Sequence, residues 1–161
     1  MLPDADRYQG YRCEEELLAA RDALERRARQ LRLQPLVWPF EFPFDSELAM
    51  LAATYAQRIG KGVPFALAAF RQAFAGGKAL SVTDNVLIAG AACEMHPRAI
   101  IRAVQTRGVR EELERATTEA LAAGVHDVPA VRVGEQVIVG EDRLEEAGVL
   151  LEVANGALRS G

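Results

Sequence analysis

The chain has 161 residues, with 19 basic and 23 acidic side chains, a net charge of −4 and an apolar half; this suits a single domain with a real core and excludes disorder and collagen-like repetition. A pI near 5.3 with no run of basic residues excludes a phosphate-tracking surface, so no nucleic-acid partner is expected. No stretch approaches ~18 uninterrupted apolar residues, and the N-terminus lacks a basic start followed by an apolar segment, so a cytoplasmic chain without membrane association is expected.

Alanine supplies 28 residues, whereas Phe, Tyr and Trp supply 6, 3 and 1; the apolar mass is small and helix-favouring. The first periodic segment runs from Glu14 to about Leu33, with Leu17, Leu18, Leu24 and Leu31 among many charges, and predicts a solvated helix. From Leu36 to Asp45 prolines 39 and 43 alternate with aromatics, forbid helix and predict an extended, partly buried connector. Asp45 or Ser46 then caps a helix carrying Leu48, Leu51, Ala52, Tyr55 and Ile59 and stopping at Gly60. Another helix starts around Gly62-Val63-Pro64, carries Phe65, Leu67, Phe70 and Phe74, and closes on Gly76-Gly77. Thr83 or Asp84 caps a helix through Cys93, Pro97 opens one bearing Ile100, Ile101 and Val104, and Val109 to Ala123 forms a further one.

Beyond Gly124 the period changes from 3.6 to two. The loop Val125–Pro129 leads into Ala130–Val133, a Gly134-Glu135 turn and Gln136–Val139, which predicts a β-hairpin. A last helix begins at Glu141 or Asp142 and carries Leu144, Ala147, Leu150, Leu151 and Ala154, with a frayed tail from Asn155. Because a lone hairpin is barely stable, it needs a helix cover, a third strand from Gln34–Val37, or an edge paired outside the chain.

Cys13 and Cys93 lie far apart, without a Cys-x-x-Cys pair and with only His96 and His126 beside them, so neither a metal site nor a disulfide framework is expected. Cys13 stands at a helix start, where the dipole lowers a thiol pKa but Glu14, Glu15 and Glu16 raise it. Cys93 reads as a small buried hydrophobe, and His96 as a helix-junction residue. His126, three residues before Pro129, reads as a solvated loop histidine with a weaker catalytic reading.

Gly124-Val-His-Asp-Val-Pro-Ala-Val-Arg-Val133 followed by Val137-Ile-Val-Gly-Glu-Asp-Arg-Leu144 resembles the C-terminal end of the DsbA-like branch of the thioredoxin superfamily. More narrowly, it resembles 2-hydroxychromene-2-carboxylate isomerase and kappa-class glutathione transferase, in which a Gly-Val-x-Gly-Val-Pro-x-Phe-Val motif precedes a hairpin and Gly-x-Asp-Arg-Leu opens the last helix. Phe42-Pro-Phe-Asp-Ser46, Phe70-Arg-Gln-Ala-Phe74 and Asp84-Asn-Val-Leu87 are similar to the helical domain that this branch inserts. The resemblance implies an α/β but mostly α chain with a DsbA-like thioredoxin fold. It would be a single domain over residues 1–161, with a helical insert over 14–123 and the C-terminal hairpin and helix over 124–154. It also implies truncation at the N-terminus, because the family's first β-α-β unit, of ~30 residues or more, has no counterpart before Glu14. The family's catalytic Ser or Cys lies in that unit, so the catalytic residue here is unknown.

Pro129 resembles the superfamily's cis-proline, which implies that the Val128 backbone faces outward and pairs with the cysteinyl backbone of glutathione or a substrate peptide; the plain alternative is a trans turn proline. Asp142, with Glu141, matches the acidic position that holds the amino group of glutathione in kappa-type enzymes; the plain alternative is an N-cap. The implied partners are glutathione or a similar low-molecular-weight thiol and a hydrophobic substrate. The implied functions are a glutathione-dependent isomerase or transferase, impaired or inactive as this isolated chain, and a DsbA-type thiol–disulfide oxidoreductase. A third reading is a non-catalytic remnant that binds a partner or forms a homodimer through its hairpin edge.

Overall fold

A computed structural model describes residues 14–159. Among these, seven α-helices precede, follow and flank a single antiparallel hairpin: α1 Glu14–Gln30, α2 Glu47–Arg58, α3 Gly62–Phe74, α4 Thr83–Ala91, α5 Pro97–Val104, α6 Arg107–Ala122, β1 Ala130–Val133, β2 Gln136–Val139, a 3-10 turn Glu141–Arg143, and α7 Leu144–Arg159. The chain divides into two compact units, with the boundary between Leu113 and Glu114, inside α6. The first turns of α6 belong with the helices because Val109 is buried beside Leu51 and Ala103, with Leu113 packed against them, while no later residue of α6 is buried.

The helical unit is built on alanine. Ala49, Ala52, Ala56, Ala69, Ala73 and Ala89 are all buried in one cluster with Phe65, Leu80, Val86, Cys93, Met95 and Ile100. These small side chains line the contacts of α2 with α3 and α5 and of α3 with α4. Gly90 takes this furthest. A β-carbon there would collide with Cδ1 of Ile100, itself 1% exposed. Gly90→Ala is therefore expected to destabilise the unit by about 1–3 kcal/mol through overpacking, despite alanine's better helix propensity, as read from the urea midpoint.

Several helix ends differ from the sequence-based expectations, and local hydrogen bonding explains each. The first helix stops at Gln30 rather than Leu33, because Arg32 takes a left-handed conformation (φ 54°) and Leu33 N–H donates back to the Ala28 carbonyl at 2.9 Å. Likewise α4 stops at Ala91, with Glu94 at φ 60° and Met95 N–H bonded to the Gly90 carbonyl at 2.9 Å. Neither Thr83 nor Asp84 caps α4; both lie in its first turn, behind Val82. Asp45 caps α2, its Oδ1 accepting from Glu47 N–H at 2.8 Å, whereas the Ser46 side chain makes no capping bond. At the far end, α7 stays helical to Arg159, beyond the expected fraying point at Asn155.

The aromatic connector is free of helix and partly buried, with Pro39 fully enclosed, but it is not extended throughout: Phe42 N–H donates to the Pro39 carbonyl at 3.1 Å and closes a turn over residues 39–42. Trp38 meets Phe42 and Phe74 at ring separations of 5.1 and 5.9 Å, donates through Nε1 to Glu25 Oε1 at 3.0 Å, and is overlain by the Arg21 guanidinium at 5.2 Å. Gln34–Val37 is not a third strand. Val37 N–H instead donates to the Phe74 carbonyl at the end of α3, and the sheet of the described residues is two-stranded. Its cover comes from within its own unit, where α7 packs on β1; Ala147 of α7 and Ile138 of β2 are both buried.

Candidate functional site

The hairpin pairs Ala130 with Val139, Val131 with Ile138, Arg132 with Val137 and Val133 with Gln136 across the two-residue turn. Gly140 N–H donates to the Pro129 carbonyl at 2.9 Å, extending the ladder by one pair at the open end. That register brings the Val128-Pro129 segment and the Gly140-Glu141-Asp142 segment to the same end of the hairpin, although they are more than ten positions apart in the chain. Along the strands Ile138 is buried, while Arg132 and Gln136 are exposed.

The Val128-Pro129 peptide bond is cis. Val128 lies one residue beyond the ladder and is 70% exposed. Its N–H is not idle: it donates to the Oδ1 of Asp127 at 2.8 Å. Asp127 is a residue that sequence reasoning passed over, although an Asx side chain beside a turn commonly takes up a neighbouring backbone donor, and that habit was the available signal. A peptide-like ligand pairing with Val128 has to displace this carboxylate.

On the facing strand end, Gly140 has φ 106° and ψ 148°, a region that a β-carbon makes costly. A β-carbon on Gly140 would also stand 2.5 Å from Oδ1 of Asp142, so the glycine makes room for that carboxylate. Asp142 is exposed in the 3-10 turn that leads into α7, and no side-chain cap is made at Gly140. The N-cap reading of Asp142 therefore fails geometrically: the carboxylate accepts no hydrogen bond from a described residue. Glu141 stands exposed in the same turn.

Arg143, the next residue, is committed elsewhere, with Nε to Glu146 Oε2 at 2.8 Å and Nη2 to Oε1 at 2.7 Å. That fork, together with the opposite charge, raises the Arg143 pKa, with a smaller contribution from Asp142, and holds the Glu146 carboxyl below the usual range. The two halves of the site thus present the exposed Val128, its N–H held by Asp127, and a carboxylate at Asp142; once Asp127 is displaced, the set suits an extended backbone carrying an amino group.

The remaining candidates fall outside this set. His126 is exposed, with Nδ1 3.0 Å from the Gly124 carbonyl. His96 caps α5, its Nδ1 accepting from Arg98 N–H at 3.1 Å. Cys93 is buried, with Sγ directed at the Gly90 carbonyl at 3.2 Å, which gives a thiol-exchange reading no support. Cys13 lies outside the described residues. Among the described residues no three His, Cys, Asp or Glu side chains gather as metal ligands, and no helix is long and apolar enough to cross a membrane.

A family model described as a DSBA-like thioredoxin domain matches residues 3–150. The chain is similar to a solved structure of 2-hydroxychromene-2-carboxylate isomerase, with a TM-score of 0.68 and 22% identity over 90% of this chain and 68% of that one. Comparison with curated proteins found no match.

Proposed function

The chain belongs to the DSBA-like thioredoxin domain family, and from that membership we propose that its hairpin end binds glutathione or a similar low-molecular-weight thiol, in the isomerase and transferase branch of the fold. The observation that carries the reading is the juxtaposition of the exposed Val128 backbone with the Asp142 carboxylate, fixed by the hydrogen bond from Gly140 to Pro129. The cysteinyl backbone of the thiol adds to the hairpin end as a short antiparallel strand, and its amino group meets Asp142. The similar fold of 2-hydroxychromene-2-carboxylate isomerase suggests the chemistry of such a complex. A bound thiolate adds to a conjugated double bond of a small hydrophobic substrate, and the pair of π electrons moves onto the adjacent carbonyl. The resulting single bond rotates, and expulsion of the thiolate restores the double bond with no net oxidation. The reading assigns this chain binding of the thiol, with turnover proposed to be impaired in the isolated chain.

A second reading has its own support. The sheet of the described residues has two strands and open edges, and Val149 and Val153 stand exposed one turn apart on α7. These features suit a non-catalytic module that dimerises or docks a partner through the hairpin.

Calorimetric titration separates the two. The first reading expects saturable one-to-one binding of glutathione, weakened roughly tenfold in Gly140→Ala, which strains the backbone and displaces the Asp142 carboxylate. A heat trace without saturation, from a chain that sediments as a dimer, decides for the second.

A further inference from the structure

A cavity of about 390 Å3 opens in the helical unit between α2, α5 and the start of α6, and three arginines line it: Arg58, Arg98 and Arg102. Its apolar wall is formed by Ala103 and Val109, both buried, with the half-buried Tyr55 beside them. The volume falls in the range of small-molecule sites.

Among the described residues, two of these arginines lack the carboxylate partner that many others on the surface have. Arg26, Arg107, Arg110, Arg115 and Arg143 each pair with a nearby carboxylate. Arg98 and Arg102 lie one turn apart on α5, where like charges repel, and neither forms an ion pair among the described residues. Arg58 is held in place, with Nε donating to Glu112 Oε2 at 2.9 Å and Nη2 to the Gly108 carbonyl at 3.2 Å. Three arginines thus line one cavity, with the Glu112 carboxylate paired to one of them, in a chain whose net charge is negative. The cavity focuses their potential, and planar guanidinium forks match the paired oxygens of a carboxylate or phosphate.

We propose that this cavity binds a small organic anion, a carboxylate or phosphate carried on an apolar body. The anionic head bridges Arg98 and Arg102 and shares Arg58 with Glu112, while the body rests on Ala103, Val109 and the Tyr55 ring. The site is independent of the thiol-binding reading, since every residue in it belongs to the helical unit and none to the hairpin.

The test is titration of the full chain, without glutathione, by phenyl phosphate and benzoate, with inorganic phosphate and phenol as comparisons. One-to-one saturation by at least one aryl anion is expected, tighter than by inorganic phosphate or phenol and weaker as salt is raised. Whichever aryl anion binds tighter identifies the head group. Arg98→Gln and Arg102→Gln, each checked for native far-UV circular dichroism, should each weaken binding about tenfold or more, whereas Arg107→Gln, outside the cavity, leaves it unchanged. Glu112→Gln releases Arg58 and should tighten binding, which keeps the test decisive if an arginine variant folds poorly. The proposal is overturned if neither aryl anion saturates, if phenol or inorganic phosphate binds as tightly, or if affinity ignores Arg98, Arg102 and Glu112.

Discussion

Phe65→Ala is expected to destabilise the helical unit by about 3–5 kcal/mol, a large share of the roughly 5–15 kcal/mol that holds a domain of this kind together. The reason lies in how the core is filled. Among the described residues Phe65, 1% exposed, is the largest fully buried side chain, in a cluster where six alanines have no side-chain length with which to fill the vacated space and Leu80, Val86, Cys93, Met95 and Ile100 supply the rest. A core of leucines relaxes partly around a cavity; where half of the buried neighbours are alanines, less side-chain movement is available to fill it. Urea denaturation followed by far-UV circular dichroism measures the loss. A change below about 1.5 kcal/mol means that the helices close over the gap. Phe65→Leu keeps more of the volume and should recover most of the deficit.

Asp142→Ala should weaken glutathione binding roughly tenfold or more at low salt while lowering stability by less than about 1 kcal/mol. Geometry motivates both halves. The carboxylate makes no capping bond and accepts no hydrogen bond from a described residue, so the fold loses little when it is removed, while a ligand ammonium loses its counter-charge. Asp142→Asn keeps the shape without the charge, so it should behave like alanine toward glutathione. The effect should shrink for a glutathione analogue without its amino group, and the difference between the two ligands in calorimetry isolates the charge interaction. If Asp142→Ala instead lowers stability and leaves affinity unchanged, the residue serves only the entry to α7.

How much of this was legible from the sequence depended on which residues carried the signal. Helices α2, α3 and α5 follow from apolar spacing and from Asp45, Pro64 and Pro97, residues whose local preferences act in their own turn of helix. The ends of α1 and α4 did not follow, since Arg32 and Glu94 occupy the left-handed position that glycine usually fills; the backbone bonds of Leu33 and Met95 hold them there, and no residue type announces it. The hairpin was visible in its period of two. The cavity residues Arg58, Arg98 and Arg102 were not read as a group, because their convergence depends on how α2 and α5 pack, which is tertiary information. At the hairpin end, Val128 and Asp142 stood out only through motif resemblance, and the role of Gly140 in making room for the carboxylate needed coordinates.

The aromatic seam around Trp38 also determines what spectroscopy sees. Trp38 is the sole tryptophan, and from Glu114 onward the chain has no Phe, Tyr or Trp. Tryptophan emission therefore reports the local state of one seam, where α1 meets the connector through Glu25, Arg21 and the Phe42 and Phe74 rings. The hairpin unit has no intrinsic chromophore of this kind. Ligand binding there calls for calorimetry or isotope labels, and an engineered tryptophan on α7 would give that half of the molecule its own optical signal.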